Sequence, residues 1–189
     1  APSCLDLFAK GDLAGHDDFR KAWVSTICGA DAAGHIVVVE RLADIDTDIL
    51  GSKFELEQLI HHQWANLERL TLVKGVLSQH FDRQLYKHCI VLDLGGLSSK
   101  HYGVKKQLSS IIGVASNHYP ETLFKMFIIN APFLFRAVWK GISPMLHPIT
   151  TQKIKVLGSN FLKELAANDI TPTQLPPSVG GSFTARWNV

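Results

Sequence analysis

The chain has 189 residues, of which 46% are apolar and 19% charged, and its 19 basic and 17 acidic residues leave a formal net charge of +2. This length is typical of one domain, and the apolar content excludes intrinsic disorder, which requires low hydrophobicity and a high net charge. The balance of charge excludes a dedicated nucleic-acid-binding protein, so no nucleic-acid partner is expected.

The number of cysteines and the hydropathy of the sequence indicate the cellular compartment of the protein. Cys4, Cys28 and Cys89 are too few for a disulfide framework and lack the spacing of a zinc site. No run approaches the roughly 20 apolar residues that cross a bilayer. We therefore expect a cytoplasmic protein with no metal and no cofactor other than a bound ligand.

The first elements in chain order are a short helix and a hairpin. Residues 1–22 are polar and mixed, with Phe19 near the end of a helix. Residues 29–34 are rich in glycine and aspartate, which favour turns, and the β-branched run at 36–39 predicts a strand. Together the turn and its flanks predict a β-hairpin.

The middle of the chain alternates helix and strand. Apolar residues at spacings of three and four predict an amphipathic helix over 53–80. The apolar run at 88–94 predicts a buried strand that ends at Gly95 and Gly96. A helix is predicted over about 99–117, with Ser98 or Ser99 as its cap.

The last third continues this alternation. Strands are predicted at 126–129 and 153–157, a helix at 133–146 between them, and a short helix at 160–167 before a loop-like tail. Strands that alternate with helices form a largely parallel sheet covered by helices. The sequence therefore predicts a single α/β domain.

The helix predicted over 133–146 is apolar on nearly every side. Such a helix is either buried all round or faces something apolar that is not protein. Burial in the core is one interpretation. The other is a lid over a lipid cavity that also touches a membrane, whose basic residues would suit an anionic surface.

Enzyme motifs are scarce in this sequence. It has no nucleophile elbow, no phosphate-binding loop and no three-glycine dinucleotide fingerprint. Ser98 and His101 would indicate catalysis only with an acid in reach, so no enzymatic activity is expected. The neighbours His61 and His62 are expected to be a solvated pair, because metal-binding pairs on a helix are three or four residues apart.

Several of these stretches resemble the CRAL-TRIO lipid-binding domain, and within it the phosphatidylinositol/phosphatidylcholine transfer proteins. The resemblance is strongest in Tyr-Pro-Glu at 119–121, Ile-Asn-Ala-Pro at 129–132 and Pro-x-Thr-x-x-Lys-Ile at 148–154. Further matching stretches are 29–35, 91–96 and the Leu-Pro followed by Gly-Gly at 175–181. The resemblance covers about residues 23–182.

The resemblance implies an α/β domain whose sheet floors an apolar pocket, covered by a mobile gate helix at about 133–146. One lipid, phosphatidylinositol, is held there and is moved or presented between membranes, so the partners are a phospholipid and, transiently, a membrane surface. The implied headgroup residues are Glu121, Thr150 and Lys153. The implied pocket and gate residues are His88, Ile90, Leu92, Met126, Ile128, Phe135, Trp139 and Ile142.

Departures from the family pattern leave alternatives open. Family members carry a small helical domain ahead of this one, so residues 1–22 are expected to be an extension or the end of such a domain, and 23–189 the lipid-binding domain. His88 and Ile90 stand where choline-binding relatives have hydroxyls, which disfavours phosphatidylcholine. Related domains also act as protein-interaction or GTPase-regulator scaffolds, or carry haem or isoprenoids. If the ligand were haem, His88 would be the candidate residue to bind it.

Overall fold

The computed structural model describes residues 13–98, 100–101, 105–119, 121–133, 135, 139–140, 143–145, 148–184 and 187–188. Six strands form one sheet in the order β5-β4-β3-β2-β1-β6. Strands β2 to β5 are parallel, and β1 is antiparallel to both β2 and β6. The predicted α/β fold with a mostly parallel sheet is confirmed. The strands are β1 (Ser25–Ala30), β2 (Ile36–Arg41), β3 (His88–Asp93), β4 (Leu123–Ile129), β5 (Ile154–Val156) and β6 (Trp187–Asn188).

Helices and short 3-10 turns connect these strands. The helices are α1 (His16–Ala22), α2 (Thr47–Ser52), α3 (Leu56–His80), α4 (Lys105–His118), α5 (Pro148–Gln152) and α6 (Leu162–Ala166). The 3-10 turns are Leu42–Asp44, Ser143–Met145, Pro172–Gln174 and Pro177–Val179. Within the described residues, no helix is both long and apolar enough to span a bilayer.

The apolar helix predicted over 133–146 is described at a few positions. Residues 133, 135, 139 and 140 have helical backbone, and the segment ends in the 3-10 turn at Ser143–Met145. Residues 134, 136–138, 141–142 and 146 lie outside the described residues. We call residues 133–145 the gate segment.

The predicted hairpin is confirmed, and Asp31 organises its turn. The Asp31 side chain accepts the backbone N–H of His35 at 2.8 Å, and its carbonyl accepts that of Gly34 at 2.9 Å. Gly34 has a φ of +86°, and a Cβ there would overlap the Arg83 guanidinium. Glycine is therefore favoured at this position by the backbone angle, while the flexible Arg83 side chain could move aside.

Helix α3 begins at a capping box and runs for 25 residues. The Glu55 side chain accepts a backbone N–H of the first turn, and the Gln58 side chain accepts the N–H of Glu55 in return, which satisfies two otherwise unpaired donors. Leu70 packs against Ile36 and Val38 of β2, so α3 covers one part of the sheet. This confirms the helix predicted from the periodicity.

Two element boundaries differ from the prediction. Strand β4 begins at Leu123 rather than Met126, because its parallel pairing with β3 starts opposite His88. The helix predicted from about 99 is described as α4 from Lys105 onward, although residues 100 and 101 are also helical. Residues 99 and 102–104 lie outside the described part of the chain.

The sheet has two unlike faces. One, which we call the closed face, is covered by α6 and the chain that follows it. Its strand residues are Cys28, Val37, Val39, Cys89, Val91, Phe127 and Ile129, and its cover is Phe161, Leu165, Ile170, Leu175 and Val179, all buried. The opposite face carries Ile36, Val38, His88, Ile90, Leu92, Met126, Ile128, Ile154 and Val156.

Candidate functional site

The candidate site begins with two apolar rows on the second face of the sheet, which we call the groove. Register places Ile90 beside Met126 and Met126 beside Ile154, and in the next row Leu92 beside Ile128 and Ile128 beside Val156. Ile128 is buried, whereas the remaining members of both rows are only partly buried. These rows are an apolar surface that the described chain covers incompletely.

Two described aromatic residues of the gate segment lie against this surface. Phe135 and Trp139 pack against the cluster that contains Ile128 and Leu94, together with Leu92, Met126 and the β5 residues. The structure thus brings together the predicted pocket residues Ile90, Leu92, Met126 and Ile128 and, above them, Phe135 and Trp139. The remaining predicted gate residue, Ile142, lies outside the described residues.

His88 lies on the same face, at the end that α3 covers. It pairs with Ile36 of β2, which packs against α3, and is almost fully buried. Burial first, and then the nearby Lys74 ammonium, lowers the pKa of His88 from 6.5 to about 3. The imidazole is therefore neutral at physiological pH, and its buried Nδ1 has no hydrogen-bond partner among the described residues.

The inner side of α3 is polar where it meets the sheet. Lys74 is buried, donates from Nζ to the Tyr86 carbonyl at 3.0 Å, and has a pKa lowered by burial. Gln63 Oε1 and Asn66 Oδ1 are buried without a partner in the described structure. Buried polar atoms normally have partners, so these two oxygens can accept hydrogen bonds from water.

Two predicted headgroup residues meet at the edge formed by the amino-terminal ends of the parallel strands. Lys153 precedes β5 and Glu121 precedes β4, and Lys153 Nζ lies 3.1 Å from Glu121 Oε2. Glu121 is exposed and has a φ of 64°. A non-glycine residue rarely adopts this conformation, and such outliers persist where the surrounding structure holds them.

Thr150 is connected to the same edge through the backbone. It lies in the short helix α5, and its carbonyl accepts the N–H of Lys153 at 3.1 Å. The Lys153 carbonyl in turn accepts the N–H of Met126 at 2.8 Å. These bonds place Thr150, Lys153 and Glu121 at one end of the row that contains Met126.

The opposite edge of the sheet holds a buried polar network that the sequence analysis missed. Asp93 is buried and accepts hydrogen bonds from Arg41 Nε at 3.1 Å, from Asn130 Nδ2 at 2.8 Å and from the Gly95 N–H at 2.8 Å. The network ties together the ends of β2, β3 and β4. The sequence signal was an aspartate and an asparagine, each directly after an apolar strand.

The expectation that His61 and His62 are a solvated pair is wrong for His62. His62 is buried against Phe19, and its Nδ1 lies 3.1 Å from Nδ1 of His16 on α1. Burial first, then His16 and His61, lowers the pKa of His62 to about 4. The two Nδ1 atoms are close enough to share one proton, so a hydrogen bond between the rings joins α1 and α3.

Ser98 and His101 are in contact, as the sequence left open. Ser98 Oγ lies 3.1 Å from His101 Nδ1, which also accepts the backbone N–H of Ser98 at 3.1 Å. Among the described residues no carboxylate hydrogen-bonds to His101. The pair therefore has the form of a turn contact and lacks the third group that a triad requires.

A separate cleft of about 820 Å³ lies away from the groove. It is bordered by α1, by β1 and β2, and by the chain between Pro176 and Thr184. None of the predicted site residues lines it, so we do not assign it to the candidate site.

Comparison with known proteins agrees with this architecture. The CRAL/TRIO domain model matches residues 20–181. The chain is 31% identical over 175 residues to the phosphatidylinositol/phosphatidylcholine transfer protein SFH12 of Arabidopsis thaliana, covering 91% of this chain and 32% of that protein. It is 37% identical over 155 residues to the SEC14 cytosolic factor of Eremothecium gossypii, covering 80% of this chain and 49% of that protein.

A solved structure shares the fold. The crystal structure of Sfh5 superposes with a TM-score of 0.56 at 18% identity, covering 85% of this chain and 58% of the other. The chain thus spans a third to a half of the length of the two curated relatives named. The match of the family model over residues 20–181 shows that the chain belongs to the CRAL/TRIO domain family.

Proposed function

We propose that the chain binds one phosphatidylinositol molecule and carries or presents it between membranes. The acyl chains lie in the groove beneath the gate segment, and the headgroup lies against Glu121, Thr150 and Lys153. One of the curated relatives named above, SFH12, is a phosphatidylinositol/phosphatidylcholine transfer protein, which supports lipid binding and transfer. The protein works in the cytoplasm and touches membranes transiently.

The groove carries this proposal. Ile90, Leu92 and Met126 are partly exposed, although they belong to central strands that would normally be buried on both faces. A lipid chain that covers them would gain about 0.8 kcal/mol for each buried CH₂ group. The apolar rows therefore supply affinity for acyl chains without specific polar contacts.

The edge at Lys153 supports an anionic headgroup. Lys153 is partly buried, and an ammonium group in that setting attracts a phosphodiester more strongly than in bulk water. Its present partner, the Glu121 carboxylate, can hold the ammonium in place or accept from inositol hydroxyls. A threonine hydroxyl at 150 can donate to phosphate oxygens.

Native mass spectrometry with lipid extraction tests the proposal. We expect the purified chain to carry one phospholipid, and Lys153→Ala to lower the share of phosphatidylinositol at least about tenfold, the equivalent of about 1.4 kcal/mol. Lys155→Ala is the matched control, because Lys155 lies two residues further along the chain, in β5, and pairs with Glu164 instead. Neutral-lipid binding should survive both substitutions.

The same sample tests the alternatives. A chain that takes up no lipid from vesicles would contradict the proposal and favour a protein-interaction role. An absorbance band of haem would show that the ligand is haem instead of phosphatidylinositol. The neutral imidazole of His88, on the groove side, would then be the candidate iron ligand. Equal phosphatidylinositol content in Lys153→Ala and Lys155→Ala would refute the headgroup assignment alone.

A further inference from the structure

Lys74 is a buried lysine on the inner side of α3. It is 4% exposed, and its ammonium group donates to the Tyr86 carbonyl at 3.0 Å. An ammonium group has three donors, and no carboxylate in the described part of the chain forms an ion pair with this one. Buried charges are normally paired, so the described residues leave the charge of Lys74 without a counterion.

The carboxylate of Glu68 does not take this role. It acts on Lys74 only through space, and it raises the pKa of the lysine less than burial lowers it. The Oε1 atom of Glu68 accepts the Tyr119 hydroxyl instead, beside the end of α4. The pKa of Lys74 therefore lies below its ordinary value, and an anion placed at the ammonium group would offset the cost of burying its charge.

His88 lies near Lys74 and also has an unused polar atom. The residue is 5% exposed, and its buried Nδ1 has no hydrogen-bond partner in the described structure. The Lys74 ammonium is close enough to contribute to the low pKa of the imidazole. A neutral imidazole with its hydrogen on Nδ1 donates to an oxygen. Lys74 and His88, which we call the inner pair, thus offer hydrogen-bond donors and one positive charge in one buried place.

The inner pair lies at the end of the groove. His88 and Ile90 are two residues apart on β3 and therefore point to the same face, and Ile90 lies beside Met126 in the first apolar row. His88 is buried, whereas Ile90 and Met126 are partly exposed. An apolar surface that crosses β3, β4 and β5, about 10 Å wide, therefore ends at a buried polar group.

The burial of the inner pair restricts the ligand that can reach it. Both side chains are more than nine-tenths buried, so the polar group of the ligand must be small. A carboxylate has two acceptor oxygens and one negative charge, which match one imidazole N–H and one ammonium group. Hydrogen bonds between ionised partners of this kind are about twice as strong as neutral ones. The hydrocarbon chain attached to the carboxylate would lie on the apolar rows.

We propose that the inner pair binds the carboxylate of a long-chain fatty acid whose hydrocarbon chain lies along the groove. The Lys74 ammonium pairs with the carboxylate, and the Nδ1–H of His88 donates to its second oxygen. This inference rests on the groove of the proposed function but not on the headgroup residues at the other end of the sheet edge. The fatty acid is a second class of ligand, and it competes with phospholipid because both cover the same apolar rows.

Binding of radiolabelled palmitate and methyl palmitate to the lipid-free chain tests the proposal without any variant. We expect palmitate to bind at least about tenfold more tightly, because the ester has the same chain but no charge. Myristate, which is two CH₂ groups shorter than palmitate, should bind about tenfold more weakly than palmitate. Equal affinity for palmitate and its methyl ester would overturn the carboxylate assignment.

Lys74→Met tests the residue, because methionine keeps an unbranched side chain and removes the buried charge. An apolar replacement of a buried charge is often tolerated, so the variant should fold. We expect it to lose at least about tenfold in palmitate affinity and to keep its affinity for methyl palmitate. Lys87→Met is the matched control, since that ammonium lies 5.3 Å from the centre of the Tyr86 ring.

Two outcomes of this comparison would contradict the inner pair. Unchanged palmitate affinity in Lys74→Met would show that the lysine does not bind the carboxylate. An equal loss of palmitate and methyl palmitate would show that the substitution damages the groove and that the charge is not recognised.

Phosphatidylinositol content separates this proposal from the proposed function. We expect Lys74→Met to keep the wild-type content of phosphatidylinositol in native mass spectrometry while losing palmitate. A wild-type chain that carries phosphatidylinositol but does not prefer palmitate to its ester would refute the inner pair and leave the carrier role intact. A chain that binds palmitate through Lys74 yet carries no phospholipid would support the inner pair and refute the proposed function.

Discussion

The two faces of the sheet are built from the same strands but are covered to different extents. The closed face meets an apolar cover in which Phe161, Leu165 and Leu175 are buried, and the strand residues beneath them are buried as well. On the groove side, α3 packs on β1 and β2, lies near the His88 end of β3 and brings polar residues with it, while the rows around Ile90 and Met126 stay partly exposed. The closed face is therefore fully packed, whereas the groove side is packed only in part.

This difference separates the residues that maintain the fold from those that are available to a ligand. Adjacent residues on one strand point to opposite faces, so Phe127 stabilises the core while Met126 faces the groove. A lipid in the groove would complete the second face. Stability and ligand binding should therefore respond to different substitutions, even at neighbouring positions.

The pair Phe127 and Met126 gives the largest expected effect. Phe127→Ala should lower the free energy of unfolding by about 3–5 kcal/mol, because it removes a fully buried ring and leaves a cavity. Met126→Ala should cost the lipid-free protein about 1 kcal/mol, since that side chain is only partly buried. Urea denaturation of the lipid-free protein measures both. Equal losses would show that the groove is a filled core.

Two buried histidines, one between α1 and α3 and one on the groove side, should give the protein sensitivity to acid. The pKa of His62 is lowered from 6.5 to about 4 and that of His88 to about 3, in both cases chiefly by burial. Below pH 6.5 the unfolded chain binds protons that the folded chain excludes, so the free energy of unfolding should fall with falling pH until about 4. The slope should approach about 1.4 kcal/mol per pH unit for each histidine.

Denaturation curves across this pH window check the contribution of His62. His62→Gln should flatten the slope whatever it does to stability at neutral pH, since the buried titrating group is removed. Gln79→Ala, at an exposed position near the end of the same helix, removes no titrating group and should leave the slope unchanged. A slope that persists in His62→Gln at full size would assign the acid sensitivity to other groups.

Filling the groove tests whether its exposed rows hold the acyl chains. Leu92→Trp should lower the phospholipid content at least about tenfold, because excluding about two CH₂ groups already costs more than the 1.4 kcal/mol of a tenfold change. Stability of the lipid-free protein should change little, as Leu92 is only partly buried. Leu92→Met, which conserves volume, is the control, and unchanged lipid content in Leu92→Trp would place the ligand elsewhere.

The sequence predicted the strands of the sheet well because they follow from local patterns, whereas the part of the tail that covers the closed face was predicted only as a loop. Val37 and Val39 lie in a β-branched run, and Val91 and Phe127 lie in short apolar runs bounded by turns. Such runs form buried parallel strands in almost any α/β domain. Because side chains alternate along a strand, Ile90 and Leu92 must also share one face.

Contacts between residues that are far apart in the sequence could not be predicted from local patterns. His62 is buried because His16, 46 residues earlier, faces it across α1 and α3, and no local pattern signals that pairing. From the sequence, Lys74 would be taken for a solvated helix residue. In the structure it donates to the Tyr86 carbonyl. The resemblance to a family selected Glu121 and Lys153, 32 residues apart, whose contact depends on the parallel pairing of β4 and β5.

The smallest expected effect concerns the helix that covers part of the groove side. Gly75→Ala should raise the free energy of unfolding by about 0.5–1 kcal/mol, because glycine in a helix interior loses more backbone freedom on folding and the added methyl faces open space. Lipid exchange between vesicles should keep its rate, because the partly exposed rows lie beyond α3 and beneath the gate segment. Slower exchange in the stabilised variant would instead show that α3 opens to admit the lipid, and the covered end at His88 would then be part of the path.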